Sequence, residues 1–184
     1  VQATVDEGSI DTVHAAALKV TAGEDNLDVE LTDAVRAPST DSTWPLKGRL
    51  RGDLARWLPR VQSFLPLTGW DLAGDADLQL TARLGTQRMD VESAKLDFRD
   101  LAVVGAGLFV NEPQVQVELA GTWDRTRNGW QVPSLTFASS SLAFRADQVA
   151  WEPADRGGNL SANVGLRSDL ARLSAWLQDP RNPI

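Results

Sequence analysis

The chain has 184 residues, one domain's length, and 18 Lys and Arg against 25 Asp and Glu give a net charge of −7. That balance argues against a nucleic-acid partner and against electrostatic docking on an anionic leaflet, both of which need a cationic surface. The absence of cysteine removes disulfides, thiol nucleophiles and thiolate metal sites, and the single histidine, His14, leaves little for a zinc centre or a His-based triad.

Along the chain the dominant signal is period-two alternation, the mark of strands with one oily and one wet face. Leu27, Val29 and Leu31 alternate with Asp28, Glu30 and Thr32. After Gly52, Asp53 stands where it can accept from the first free N–H groups of a short helix through Leu58. Pro59 is expected to end or kink that helix, and Val61 to Leu65 adds a further turn. The clearest strand runs from Trp70 to Leu84, with Leu72, Leu78, Leu80 and Leu84 on one face and Asp71, Asp75 and Asp77 on the other. Further strands are expected near Met89–Phe98, Val115–Leu119, Trp130–Phe137 and Leu142–Val149, and Pro133 predicts that the third is an edge or is broken. Turn residues separate the runs at 23–26, 85–86, 124–129 and 156–159. A second helix, Asp169 to Leu177, again opens on a capping Asp and puts Leu170, Leu173, Trp176 and Leu177 on one side. Apolar runs such as Ala15–Leu18 and Leu101–Val104 are too short to span a bilayer as helices.

One-faced strands joined by short turns predict a mainly β, antiparallel, twisted sheet, as an open groove or half-barrel, with two short helices that each follow a strand. Residues 46–56 also align with residues 162–172, Asp169 following Asp53 by 116 positions, and 6 of the 11 aligned positions are identical. The expected organisation is a β-rich region over 1–159, with a strand-helix-strands unit from about 46, and the start of a second unit over 160–184. That second unit stops before strands of its own, so the chain is expected to be a piece of a longer array.

The phrases Leu46-Lys-Gly-Arg-Leu-Arg-Gly-Asp-Leu-Ala-Arg-Trp-Leu58, Phe64-Leu-Pro-Leu-Thr-Gly-Trp70 and Leu72-Ala-Gly-Asp-Ala-Asp-Leu-Gln-Leu80 resemble the repeat units of the AsmA-like/TamB group of bacterial envelope proteins. The resemblance covers about residues 46–177. It implies a non-enzymatic scaffold without cofactors, in the periplasm of a Gram-negative-type bacterium, from a protein anchored elsewhere in its chain by a membrane helix. It further implies a long β-sheet with an apolar groove along which lipid acyl chains move between membranes, or which supports outer-membrane assembly. Phospholipid acyl chains and other envelope proteins are then the expected partners.

If such a groove exists, its expected lining is Leu72, Leu78, Leu80 and Leu84, with Leu142 and Phe144 from a later strand. Asp53 and Asp169 are expected to serve as helix caps. Other motifs carry less. Arg51-Gly52-Asp53 matches an integrin tripeptide but lies where a strand becomes a helix. The Asp71, Asp75 and Asp77 cluster lacks the Gly and terminal Glu of a calcium loop and reads as a solvated strand face. His14 has no partner at a catalytic spacing, and Asn159-Leu160-Ser161 is a glycosylation sequon only in a eukaryotic secretory setting. Seven Trp without a Tyr leave open a carbohydrate-binding module, which would need two or three coplanar exposed Trp. A structural protein-interaction domain with a closed core is the other alternative.

Overall fold

The computed structural model describes residues 2–9, 11–62, 69–154 and 157–177. Within these, the strands are β1 (Gln2–Ser9), β2 (Thr12–Ala22), β3 (Asp25–Leu31), β4 (Val35–Arg36) and β5 (Trp44–Asp53), then β6 (Asp71–Leu84), β7 (Arg88–Gly105) and β8 (Leu108–Asp124), and finally β9 (Gly129–Ser139), β10 (Leu142–Ala154) and β11 (Gly157–Ser168). Helix α1 (Leu54–Val61) follows β5 directly, and α2 (Leu170–Ala175) follows β11 after its capping residue. The strands form one open antiparallel sheet in the order β1-β2-β3-β5-β6-β7-β8-β9-β10-β11, with the two-residue β4 beside the start of β2. The mainly β, antiparallel expectation is met, and β1 and β11 are the two edges.

Short turns account for the meander. Gly23, at φ +67°, and Glu24 close the β2–β3 hairpin, where Ala22 pairs with Asp25. Residues 125–128 close the β8–β9 hairpin, where the Asp124 carboxylate accepts from the amides of Thr126 and Arg127. The long strands are not straight. Extra residues shift the register on β7 opposite Ala73–Asp75 and again between Val91 and Ala94, on β9 opposite Ala120–Thr122, and on β10 between Asp147 and Ala150. Two of them carry non-Gly residues with left-handed backbone, Asp100 at φ +50° and Gln148 at φ +54°. Each such bulge bends its strand and increases the local twist, which curls a large sheet.

One expectation about proline is corrected and another is narrowed. Pro133 lies in an interior strand, β9, because the bulge opposite Ala120–Thr122 absorbs the residue that cannot donate to the ladder. Of the two outcomes expected at Pro59, an end to the helix is excluded, since α1 continues past it to Val61. Its ring removes one backbone bond, while the Gln62 amide still reaches the Leu58 carbonyl at 2.9 Å. The expected extra turn to Leu65 falls partly on residues 63–65, outside the described residues.

No second sheet covers this one among the described residues. The accessible surface is 12,496 Å², whereas a compact chain of 20.0 kDa exposes about 8,700 Å². The buried apolar residues are mostly small, Ala76, Ala82, Ala94 and Ala146, with Val35, Leu58 and Val115. Small side chains disappear beneath their cross-strand neighbours in a single layer. The larger ones are left half-covered.

Candidate functional site

The register turns separate alternating strands into continuous apolar rows. One row runs Val20, Leu27, Leu50, Leu78, Leu96, Val117, Phe137, Phe144 and Leu166, crossing nine strands from β2 to β11 without a polar residue. A second row beside it runs Leu18, Val29, Gly48, Leu80, Ala94, Leu119, Leu135, Ala146 and Val164. Phe137 and Phe144 stack in the first row, with ring centroids 6.0 Å apart and planes at 25°. Cross-strand pairs of this kind stabilise the sheet while leaving one side of each side chain uncovered.

At one end of these rows lies an aromatic one: Trp44, Leu84, Met89, Trp123, Trp130, Trp151 and Leu160 pair in turn from β5 to β11. The bulges on β7, β9 and β10 bring it into line, since each resets the alternation of its strand. Three tryptophans rest on glycines. A β-carbon at Gly52 would come within 2.7 Å of the Trp57 ring, one at Gly105 within 2.5 Å of Trp70, and one at Gly158 would strike Trp151. Glycine permits these approaches because it has no side chain to displace the ring. Of the Trp123, Trp130 and Trp151 trio only Trp130, at 40%, is well exposed, so they do not form an open stacking platform.

The sequence-derived lining residues fall among these rows. Leu78 and Phe144 lie in the first, Leu80 in the second and Leu84 in the aromatic row; all are half-buried. Leu72 pairs with Val103 on β7, and Leu142 with Ser168 on β11, and both are also half-buried. Sequence reasoning missed Val20, Leu27, Leu50, Leu96, Val117, Phe137 and Leu166, which complete the first row. Their alternation was visible, but which strand meets which is set by register.

The opposite face is ionic. Asp77 is held by both Arg49, at 3.0 and 2.6 Å, and Arg51, at 2.8 Å. Lys19–Asp28 and Lys95–Glu118 pairs lie at 3.6 and 3.5 Å, and Gln116 donates to Asp97 at 2.8 Å. A recess of about 760 Å³ lies on this face, and Lys19, Asp28, Arg49, Lys95 and Glu118 are among its lining residues. Two pairs of its charges, Lys19–Asp28 and Lys95–Glu118, meet within the lining, so size alone does not make it the binding face. Asp71 and Asp75 are exposed, and no described group of His, Cys, Asp and Glu is arranged to hold a metal ion. His14 is exposed on β2.

The helices close one end of the sheet through two buried carboxylates. Asp53 caps α1 by accepting from the amides of Ala55 and Arg56, at 2.7 and 3.3 Å. Buried Asp25 accepts the Asp53 amide at 3.2 Å and pairs with Arg56 at 3.4 Å. Asp169 caps α2 in the same manner, accepting from Ala171 and Arg172 at 3.0 and 3.2 Å. Here the anchor is Glu112 on β8, fully buried, which accepts from the Ser140 hydroxyl at 2.6 Å, the Ser140 amide at 3.0 Å and the Trp176 indole at 3.2 Å. Burial opposes its ionisation, but the donors from Ser140, Ser141 and Trp176 outweigh burial and hold the carboxyl below its ordinary range. Nothing in the sequence marks Glu112, because an isolated Glu beside Pro113 reads as surface.

No helix among the described residues is long and apolar enough to cross a membrane. Comparison with known protein families, curated proteins and solved structures finds no match to the chain.

Proposed function

We propose that this chain is a periplasmic segment of an AsmA-like envelope protein that holds lipid acyl chains against the apolar face of its sheet, in lipid transport or outer-membrane assembly. The carrying observation is the unbroken apolar row from Val20 to Leu166. Nine strands at about 4.8 Å spacing make a greasy path of about 38 Å. A closed core would bury such residues fully, whereas these remain half-exposed, and an uncovered apolar patch of hundreds of Å² is the size that marks a binding surface. The rows ask only for apolar contact, so the reading assigns no bond-making step to any residue. The AsmA-like assignment and the envelope location rest on the phrases in residues 46–80 and on the similar segment at 162–172.

The test is native mass spectrometry of the chain made in bacteria and purified without detergent, with lipid extraction of the same sample. Co-purifying phospholipid is expected, and it should be lost from a Leu78→Asp, Leu80→Asp variant whose circular dichroism is unchanged. A lipid-free mass that persists after incubation with phospholipid vesicles would overturn the reading.

A further inference from the structure

We propose that the free edge of β11 accepts an antiparallel strand of the chemistry of β6, in the register that β6 takes on β5. The shift of 116 positions lays Trp44–Asp53 over Leu160–Asp169. On β5, β6 covers the outer edge: Leu50 is opposite Leu78, Gly48 opposite Leu80, and Arg51 opposite Asp77, whose carboxylate it meets at 2.8 Å. On β11 the equivalent positions are bare. Leu160, Val164 and Leu166 are 64%, 65% and 68% exposed, and Leu170 and Leu177 beyond them 75% and 70%.

Natural edge strands are blunted with proline, lysine, bulges or brevity. β11 has none of these protections: it is 12 residues long, contains neither Pro nor Lys, and keeps left-handed backbone only at its first residue, Gly157. Its apolar residues recur at every second position, so a docking strand would extend the apolar rows by one more strand. Charge completes the match. Arg167, the counterpart of Arg51, makes no ion pair among the described residues, and the register of β6 would place an aspartate opposite it. The occupant is therefore a strand of another polypeptide segment with apolar residues facing Leu160, Val164 and Leu166 and an acid facing Arg167. This inference does not depend on what the apolar face binds.

The probe is a synthetic peptide with the sequence of residues 71–84, titrated onto the full chain and read by residue-resolved amide hydrogen exchange. Alternate amides between Leu160 and Ser168 should become protected. Leu166→Asp should weaken binding more than tenfold. Arg167→Glu should weaken it about fourfold, the size of an exposed ion pair, and a peptide carrying Asp77→Lys should restore it. Unchanged exchange on β11 at millimolar peptide, or protection only of β1, would overturn the proposal. So would self-association of the chain alone, seen by sedimentation and abolished by Leu166→Asp, because the occupant would then be a second copy.

Discussion

Strand β5 with helix α1, and strand β11 with helix α2, carry nearly the same text: Leu50-Arg-Gly-Asp-Leu-Ala-Arg56 and Leu166-Arg-Ser-Asp-Leu-Ala-Arg172. Their local structures agree closely. Asp53 sits at φ −88°, ψ 124° and Asp169 at φ −92°, ψ 103°, each accepting from the amides two and three residues on. Their surroundings do not agree. β5 lies inside the sheet between β3 and β6, whereas among the described residues β11 has only β10. Leu58 on α1 is buried, while α2 contains no buried residue. Local text thus sets the turn and the cap, and the neighbouring strand sets the burial. The one difference within the shared phrase shows how they are linked. Gly52 lets Trp57 lie against β5, but Ser168 stands at the equivalent place, and α2 instead sends Trp176 to Glu112.

Substituting that position in both regions should break the comparison most visibly. Gly52→Val pushes a side chain into the Trp57 ring and the Asp25 carboxylate, both attached to packed structure. Overpacking there should cost about 3 kcal/mol in urea denaturation, against less than about 0.5 kcal/mol for Ser168→Val at the open edge. Next is the leucine pair. Leu50→Ala removes a half-buried side chain between Leu27 and Leu78 and should cost about 2 kcal/mol. Leu166→Ala, 68% exposed, should cost about a quarter of that. Equal losses at the two sites would mean that β11 is covered in solution, even without an added strand.

The same contrast shows what was legible. Trp70 to Leu84 reads cleanly because β6 keeps an unbroken alternation, and both caps read because Asp before Leu-Ala-Arg is a local signal. The alternation marks β7 only to Phe98, although the strand continues to Gly105. The bulge at Asp100 shifts the alternation by one, so Leu101 and Val103 look out of phase with Leu96 and Phe98. The same displacement, repeated at 92–93, 132–133 and 148–149, hid the aromatic row. The one-sided pattern expected of Asp169–Leu177 meets a packed surface only through Leu173 and Trp176, which are half-buried; Leu170 and Leu177 face outward. Amphipathic spacing says which face would be buried, not that a partner is there.

Acid should separate the helices further. Glu112 has a folded pKa below its unfolded value of about 4.3. Its contribution is complete above that value and is lost as pH falls through the folded one, so the window opens below about pH 4. There the Trp176 indole loses an ionised acceptor, and its N–H resonance should shift before the sheet unfolds. Glu112→Gln should cost about 1.5 kcal/mol at neutral pH and abolish this acid step, since the amide cannot titrate and turns a donor toward Ser140. An indole transition that survives in the variant would place the titrating group elsewhere.

The smallest effect is also the finest test of how far the two regions differ. Removing either cap, with Asp53→Ala or Asp169→Ala, deletes the same two hydrogen bonds to amides of the first turn. If cap energy were purely local, both would cost the ordinary value of about 1 kcal/mol. Global stability registers only the part that unfolds with the sheet. α1 is held there by Leu58 and by Asp25, so Asp53→Ala should show the full cost in denaturation. α2 hangs on the Trp176 contacts to Phe109 and Glu112, so it can fray while the strands stay intact. Asp169→Ala should therefore cost only about 0.3 kcal/mol globally, yet speed exchange of the α2 amides about fivefold, the local equivalent of 1 kcal/mol. Equal global losses would show that α2 unfolds together with the sheet, and that the two copies differ in exposure but not in cooperativity.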